Sequence, residues 1–161
     1  MTSMSPSETR QSPAPRRWPQ QLWALTAGLL LAATWGSVVQ TQFNLQALTA
    51  LGVQVPLALR AQTTLQDLAG FAPVYGGILL AGWLPALALA GWLARRLPAW
   101  RMTLFTSAAA VGMVAAVRAV DAAAPMPVFI DATRGGFGLL AMAAGAALGG
   151  WLFTRWTRAG R

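Results

Sequence analysis

Residues 40–71 read QTQFNLQALTALGVQVPLALRAQTTLQDLAGF, and the reading of this stretch decides how often the chain crosses a bilayer. Apolar runs flank it, at 21–39 and 72–93, and neither carries a charged residue. The stretch itself is too polar to match them. Its most apolar part, Leu45 to Leu59, would reach only about 22 Å as a helix against a hydrocarbon core of roughly 30 Å. It would also place Gln46 and Gln54 inside that core.

Charge placement supplies a second test. Every basic residue is Arg, twelve in all. Nine fall in three groups: Arg10, Arg16 and Arg17; Arg95, Arg96 and Arg101; Arg155, Arg158 and Arg161. Four spans put all three groups on one side. The other side then holds Arg60, Arg118 and Arg134 against Asp67, Asp121 and Asp131, which is neutral. A fifth span through 45–59 would move the later groups across and erase the bias. Residues 40–71 are therefore expected on the outer face, as an interfacial or re-entrant segment of two short helices. The first, about 43–51, presents Phe43, Ala47, Leu48 and Leu51 on one side and is stopped by Gly52. The second starts with Pro56 in its first position and ends at Gly70. Leu57, Ala61, Leu65 and Leu68 form its apolar stripe, and Arg60, Thr64 and Asp67 its polar one.

The expected fold is an all-α polytopic membrane protein. Its four transmembrane helices lie at about 21–39, 72–93, 100–120 and 135–153, within a bundle covering 21–156. Outer loops cover 40–71 and 121–134. A polar, Pro/Ser-rich tail precedes the bundle at 1–20 and a short one follows at 157–161. The composition agrees, because 56% hydrophobic and 10% charged residues leave little to cover a soluble domain. The positive-inside bias places both termini in the cytoplasm and the chain in a bacterial cytoplasmic (inner) membrane. The net charge of +8 is then the nine inner arginines less Glu8. That arrangement fits anionic lipid headgroups and gives no reason to expect nucleic acid.

Small residues recur every fourth position within the spans: Gly28/Ala32/Gly36, Gly82/Ala86/Ala90, Ala108/Gly112/Ala116 and Ala141/Gly145/Gly149. Lipid tails are as apolar as Leu, so helices associate through close backbone approach along such stripes. Gly28, Gly36, Gly112, Gly145 and Gly149 are accordingly the expected packing residues, within the chain or against a partner. Pro85 is expected to kink the second span near 81–85. Trp18, Trp23, Trp100, Trp151 and Trp156 mark the inner headgroup level, while Trp83 falls mid-span as lipid-facing or packed bulk.

The chain has no Cys and no His, so it cannot by itself supply thiolate chemistry, a His general base or the usual zinc and haem ligands. No cofactor, metal site or catalytic residue is expected, and no enzymatic activity. The candidate site is an outer polar cluster of Arg60, Asp67, Asp131 and Arg134, capping the bundle around an anionic or polar ligand. The competing reading is that Asp131 or Thr133 caps the fourth helix while Arg118 and Asp121 pair locally. The expected partners are membrane lipids together with partner subunits or a second copy of the chain. The expected role is an accessory or structural subunit of a larger membrane complex; the alternative is a small transporter or channel acting as a homo-oligomer.

Overall fold

The computed structural model describes residues 18–123 and 130–158. The bulk of the N-terminal tail, residues 159–161 and the middle of the 121–134 loop lie outside them. The described residues form four α-helices: α1 (Trp18–Ala50), α2 (Leu57–Arg96), α3 (Arg101–Ala123) and α4 (Gly136–Arg158). Two 3-10 turns join them, Pro98–Trp100 before α3 and Asp131–Arg134 before α4. No strand occurs among the described residues. All four helices are long and apolar enough to cross a membrane, and they pack as an antiparallel bundle in which α1 meets α2 and α4, and α3 meets α2 and α4.

The expected breaks at Gln40 and Phe71 do not occur. Between Gly36 and Gly52, α1 contains neither Gly nor Pro, so nothing interrupts its hydrogen-bond ladder when the sequence turns polar. Similarly, α2 runs unbroken through Gly70, Pro73 and Pro85. The two outer helices thus continue the first two spans and form a helical hairpin with them. With 33 and 40 residues, α1 and α2 extend about 50 and 60 Å, against about 35 Å for each of the 23-residue α3 and α4.

Gly52 ends α1, as expected. It is the only residue with positive φ (+85°) among those described. Its N–H donates to the Thr49 carbonyl (3.0 Å) and the Val53 N–H to that of Leu48 (3.2 Å), the paired bonds of a Schellman cap. Pro56 sits at the N-cap of α2, one position before the expected one. A Cβ at Gly52 meets nothing within 4 Å, so Gly52→Ala is purely a backbone test. It is expected to cost about 1 kcal/mol, from the left-handed conformation alone, measured as a lower unfolding midpoint in detergent.

The glycine stripes make the helix crossings within the subunit. A Cβ on Gly28 would stand 2.6 Å from the Gly149 carbonyl oxygen, so α1 and α4 touch backbone to backbone. A Cβ on Gly112 would stand 2.9 Å from the Gly82 carbonyl oxygen, which sets α2 on α3 in the same way. Gly36 receives the ring of Tyr75, and Gly145 the indole of Trp35. Between the crossings, i, i+4 ladders fill the core: Tyr75, Leu79, Trp83 and Leu87 from α2, and Phe105, Ala109, Met113 and Val117 from α3. Trp83 is completely buried, and its Nε1–H donates to the Ala109 carbonyl (3.0 Å).

One end of the bundle collects the arginines. Arg101 donates to the Thr154 carbonyl (3.3 Å) and to Thr157 Oγ1 (2.8 Å), while Gln20 donates to the Trp156 carbonyl (2.9 Å). Arg96 lies over Trp92, Arg101 over Phe105 and Arg155 over Trp151, each 5.1–5.3 Å from the ring centroid. The α1–α2 hairpin lies at the opposite end.

Candidate functional site

At the hairpin end the polar stripe of α2 faces α1. Arg60 Nη1 donates to Gln42 Oε1 (3.3 Å), Gln42 Nε2 donates to Thr64 Oγ1 (3.3 Å), and Thr64 donates to the Arg60 carbonyl (2.8 Å). One turn nearer the bundle, the Thr41 hydroxyl lies 2.7 Å from Asp67 Oδ2 and 2.9 Å from the Ser37 carbonyl. These contacts fasten the two arms of the hairpin. Amphipathic spacing on α2 therefore serves helix pairing, with Arg60 and Asp67 each satisfied by a neutral side chain of α1.

Arg134 stands on another flank. The backbone of its 3-10 turn packs against α1 and α4 and does not approach that of α2. The Ala132 N–H donates to Gln40 Oε1 (2.8 Å), pinning the turn to α1. Beside it a cavity of about 490 Å³ is lined by Phe43, Gln46, Ala47, Ala50, Arg134 and Gly135. Of the candidate cluster, then, Arg60 and Asp67 share the α1–α2 seam, and Arg134 lines the α1–α4 side; the side chain of Asp131 lies outside the described residues. The Thr133 hydroxyl donates to the Ile130 carbonyl (2.7 Å) inside the 3-10 turn, and among the described residues no α4 N–H donates to it as a cap would require.

Gln40, Thr41 and Gln42 hold this end together, and sequence reasoning passed over them. They mark the polar end of an apolar run, so they read as the start of a loop. Their signal was present all the same: Ser37, Gln40 and Thr41 are spaced i, i+3, i+4, one helical face. Tyr75 was missed as well, although it is the only Tyr in the chain.

The seam can be tested directly. Asp67→Ala removes the Thr41 contact and is expected to loosen the hairpin by about 1 kcal/mol. Amide exchange over 41–50 should quicken several-fold while exchange over 105–117 stays unchanged.

Among the described residues the hairpin reaches beyond the ends of helices α3 and α4. Phe43 packs on Phe137 at the first turn of α4, with ring centroids 6.2 Å apart, so α1 outruns α4 by about two turns. Counting helical rise from the Gly82–Gly112 crossing, α3 ends level with about Phe71, and α2 continues roughly 20 Å past it. The projecting arms turn Leu51 and Leu57 outward, each 81% exposed, with Val53, Leu59 and Leu65 beside them.

No family model, curated protein or solved structure matches the chain. Its class follows from the fold alone. It is a small multi-pass α-helical membrane protein, a four-helix bundle that carries a projecting helical hairpin.

Proposed function

We propose that the chain is an accessory subunit of a larger complex in a bacterial cytoplasmic membrane, and that the α1–α2 hairpin is its contact with that complex. The observation that carries this reading is the outward Leu51–Leu57 tip, at the end of a hairpin whose charged groups Arg60 and Asp67 are both engaged with α1. An apolar patch held out from its own bundle gains most by being covered, since each Leu removed from water is worth about 1.5–3 kcal/mol. The positive-inside bias puts the arginine end and both termini in the cytoplasm, and the hairpin on the opposite side. No enzymatic role is assigned.

The solid interior favours this reading over conduction by a single subunit. Leu79, Trp83, Met113 and Met142 are all completely buried at mid-height. A homo-oligomeric transporter or channel would have to conduct between copies, along faces that the helices present to lipid.

Extraction in a mild detergent, followed by size analysis and mass spectrometry, tests the proposal. Other membrane proteins should travel with the chain. The double variant Leu51→Glu, Leu57→Glu should lose them by tenfold or more while its own unfolding midpoint holds. A lone symmetric oligomer that survives both substitutions would instead support the transporter reading, for which solute flux in reconstituted vesicles is the assay.

A further inference from the structure

The bundle interior is polar mainly toward the hairpin. Among the described residues the buried polar side chains are Ser37, Gln40, Thr41 and Thr133 at that end, and Thr154 at the other. Gln40 accepts from Ala132, Thr133 donates to Ile130, Thr41 is matched by Asp67 Oδ2, and Thr154 donates to the Gly150 carbonyl four residues back. Two hydroxyls break the pattern. Ser37 Oγ and the Tyr75 hydroxyl are both wholly buried, and neither has a hydrogen-bond partner among the described residues.

The two belong to one layer. The Tyr75 ring lies on Gly36, the neighbour of Ser37, and stacks on Phe71 with centroids 5.6 Å apart. On the side toward the arginine end the layer is closed by Leu79 and Trp83. Leaving a buried hydroxyl unmatched costs more than a typical net hydrogen bond returns, and buried polar groups in folded proteins are nearly always matched by protein or by ordered water. The helical remedy, donation to the Ala33 carbonyl, is not taken by Ser37.

We infer that Ser37 and Tyr75 form a binding site for a single internal water, which bridges α1 and α2 one turn below the Thr41–Asp67 contact. Each hydroxyl can both donate and accept, the complement a water needs. The guest is small because the open grooves between α1 and α2 and between α2 and α3 are lined by other residues and reach neither hydroxyl. Asp67, the nearest acid along α2, is turned to Thr41 and so does not face the pair. The water gives the α1–α2 contact in the bundle interior a pair of hydrogen bonds, extending the polar seam of the hairpin inward.

A double-mutant cycle on the intact chain in detergent tests the site, with Tyr75→Phe, Ser37→Ala and the pair. Each single substitution should lower the unfolding midpoint by roughly 2–4 °C, and the pair by no more than the larger single, because either one abolishes the bridge. A high-resolution map of the unsubstituted chain should show an ordered oxygen about 2.7–3.2 Å from both hydroxyls, missing in Tyr75→Phe. A raised midpoint in Tyr75→Phe, additive effects, or a map with a direct Ser37–Tyr75 bond or no ordered oxygen would overturn the inference. If the variants fail to fold, the map of the unsubstituted chain decides alone.

Discussion

Gly149→Val is expected to prevent α1 and α4 from closing, at a cost of about 3 kcal/mol, the upper end of the overpacking range. A Cβ at Gly149 meets the Gly28 carbonyl oxygen, Trp83 Cη2 at 2.7 Å and the Ala32 methyl at 3.2 Å. The first of these is backbone and cannot step aside without moving a helix. Because lipid offers no hydrophobic drive to reassemble a displaced pair, the loss of contact is not recovered elsewhere. Gly28→Val should behave alike from the other side of the crossing. The control reverses the sign: Gly70 and Gly77 also lie inside a helix, but a Cβ at either meets nothing within 4 Å. Ala at those positions should raise stability by about 0.5–1 kcal/mol through helix propensity alone. Reversible unfolding in mixed micelles reads both signs on one scale.

Trp83→Ala should be the most damaging truncation, costing about 3–5 kcal/mol. The side chain joins three helices: it belongs to α2, donates to the Ala109 carbonyl of α3, and rests on Gly149 of α4. Removing it opens a cavity in the core cluster that also holds the wholly buried Leu79, Met113 and Met142. Trp83→Phe keeps most of the bulk and should lose only about 1 kcal/mol with the hydrogen bond. Trp92→Ala, two to three turns further along the same helix, should stay within about 0.5 kcal/mol. That ring is half exposed and touches mainly Arg96. The loss of unfolding midpoint across the three variants checks the order.

The difference between Trp83 and Trp92 shows where sequence reading reaches its limit. Both are tryptophans in one apolar run, and only the pairing of α2 with α3 and α4 tells which is core. The crossings were legible in outline, because Gly28, Gly112 and Gly149 stand in stripes that only close helices require. Their partners were not: Gly36 continues the Gly28 stripe in sequence but receives Tyr75 from α2, since a helical face turns as the bundle coils. Gly52 was legible as a stop because a left-handed cap asks for Gly.

The helix ends near Gln40 and Phe71 were misplaced for a definite reason. Hydropathy marks where the surroundings change, and a helix ends only where its hydrogen bonds are broken. Nothing in 41–50 breaks them, so the polar residues there became the seam of a hairpin. The polar stripe Arg60, Thr64 and Asp67 was visible as amphipathic spacing, yet its facing partners lie at Thr41 and Gln42, on a helix expected to have ended.

The most direct test asks whether that hairpin rises from the membrane or lies along it. The chain contains no Cys, so single nitroxide labels can be placed at Ala58, Gln62, Gln66 and Ala69 in vesicles and their immersion depth measured. A rising hairpin gives a depth that climbs steadily toward water from Ala69 to Ala58, by about 1.5 Å per residue. One common depth for all four positions, as for a helix lying in the interface, would contradict it.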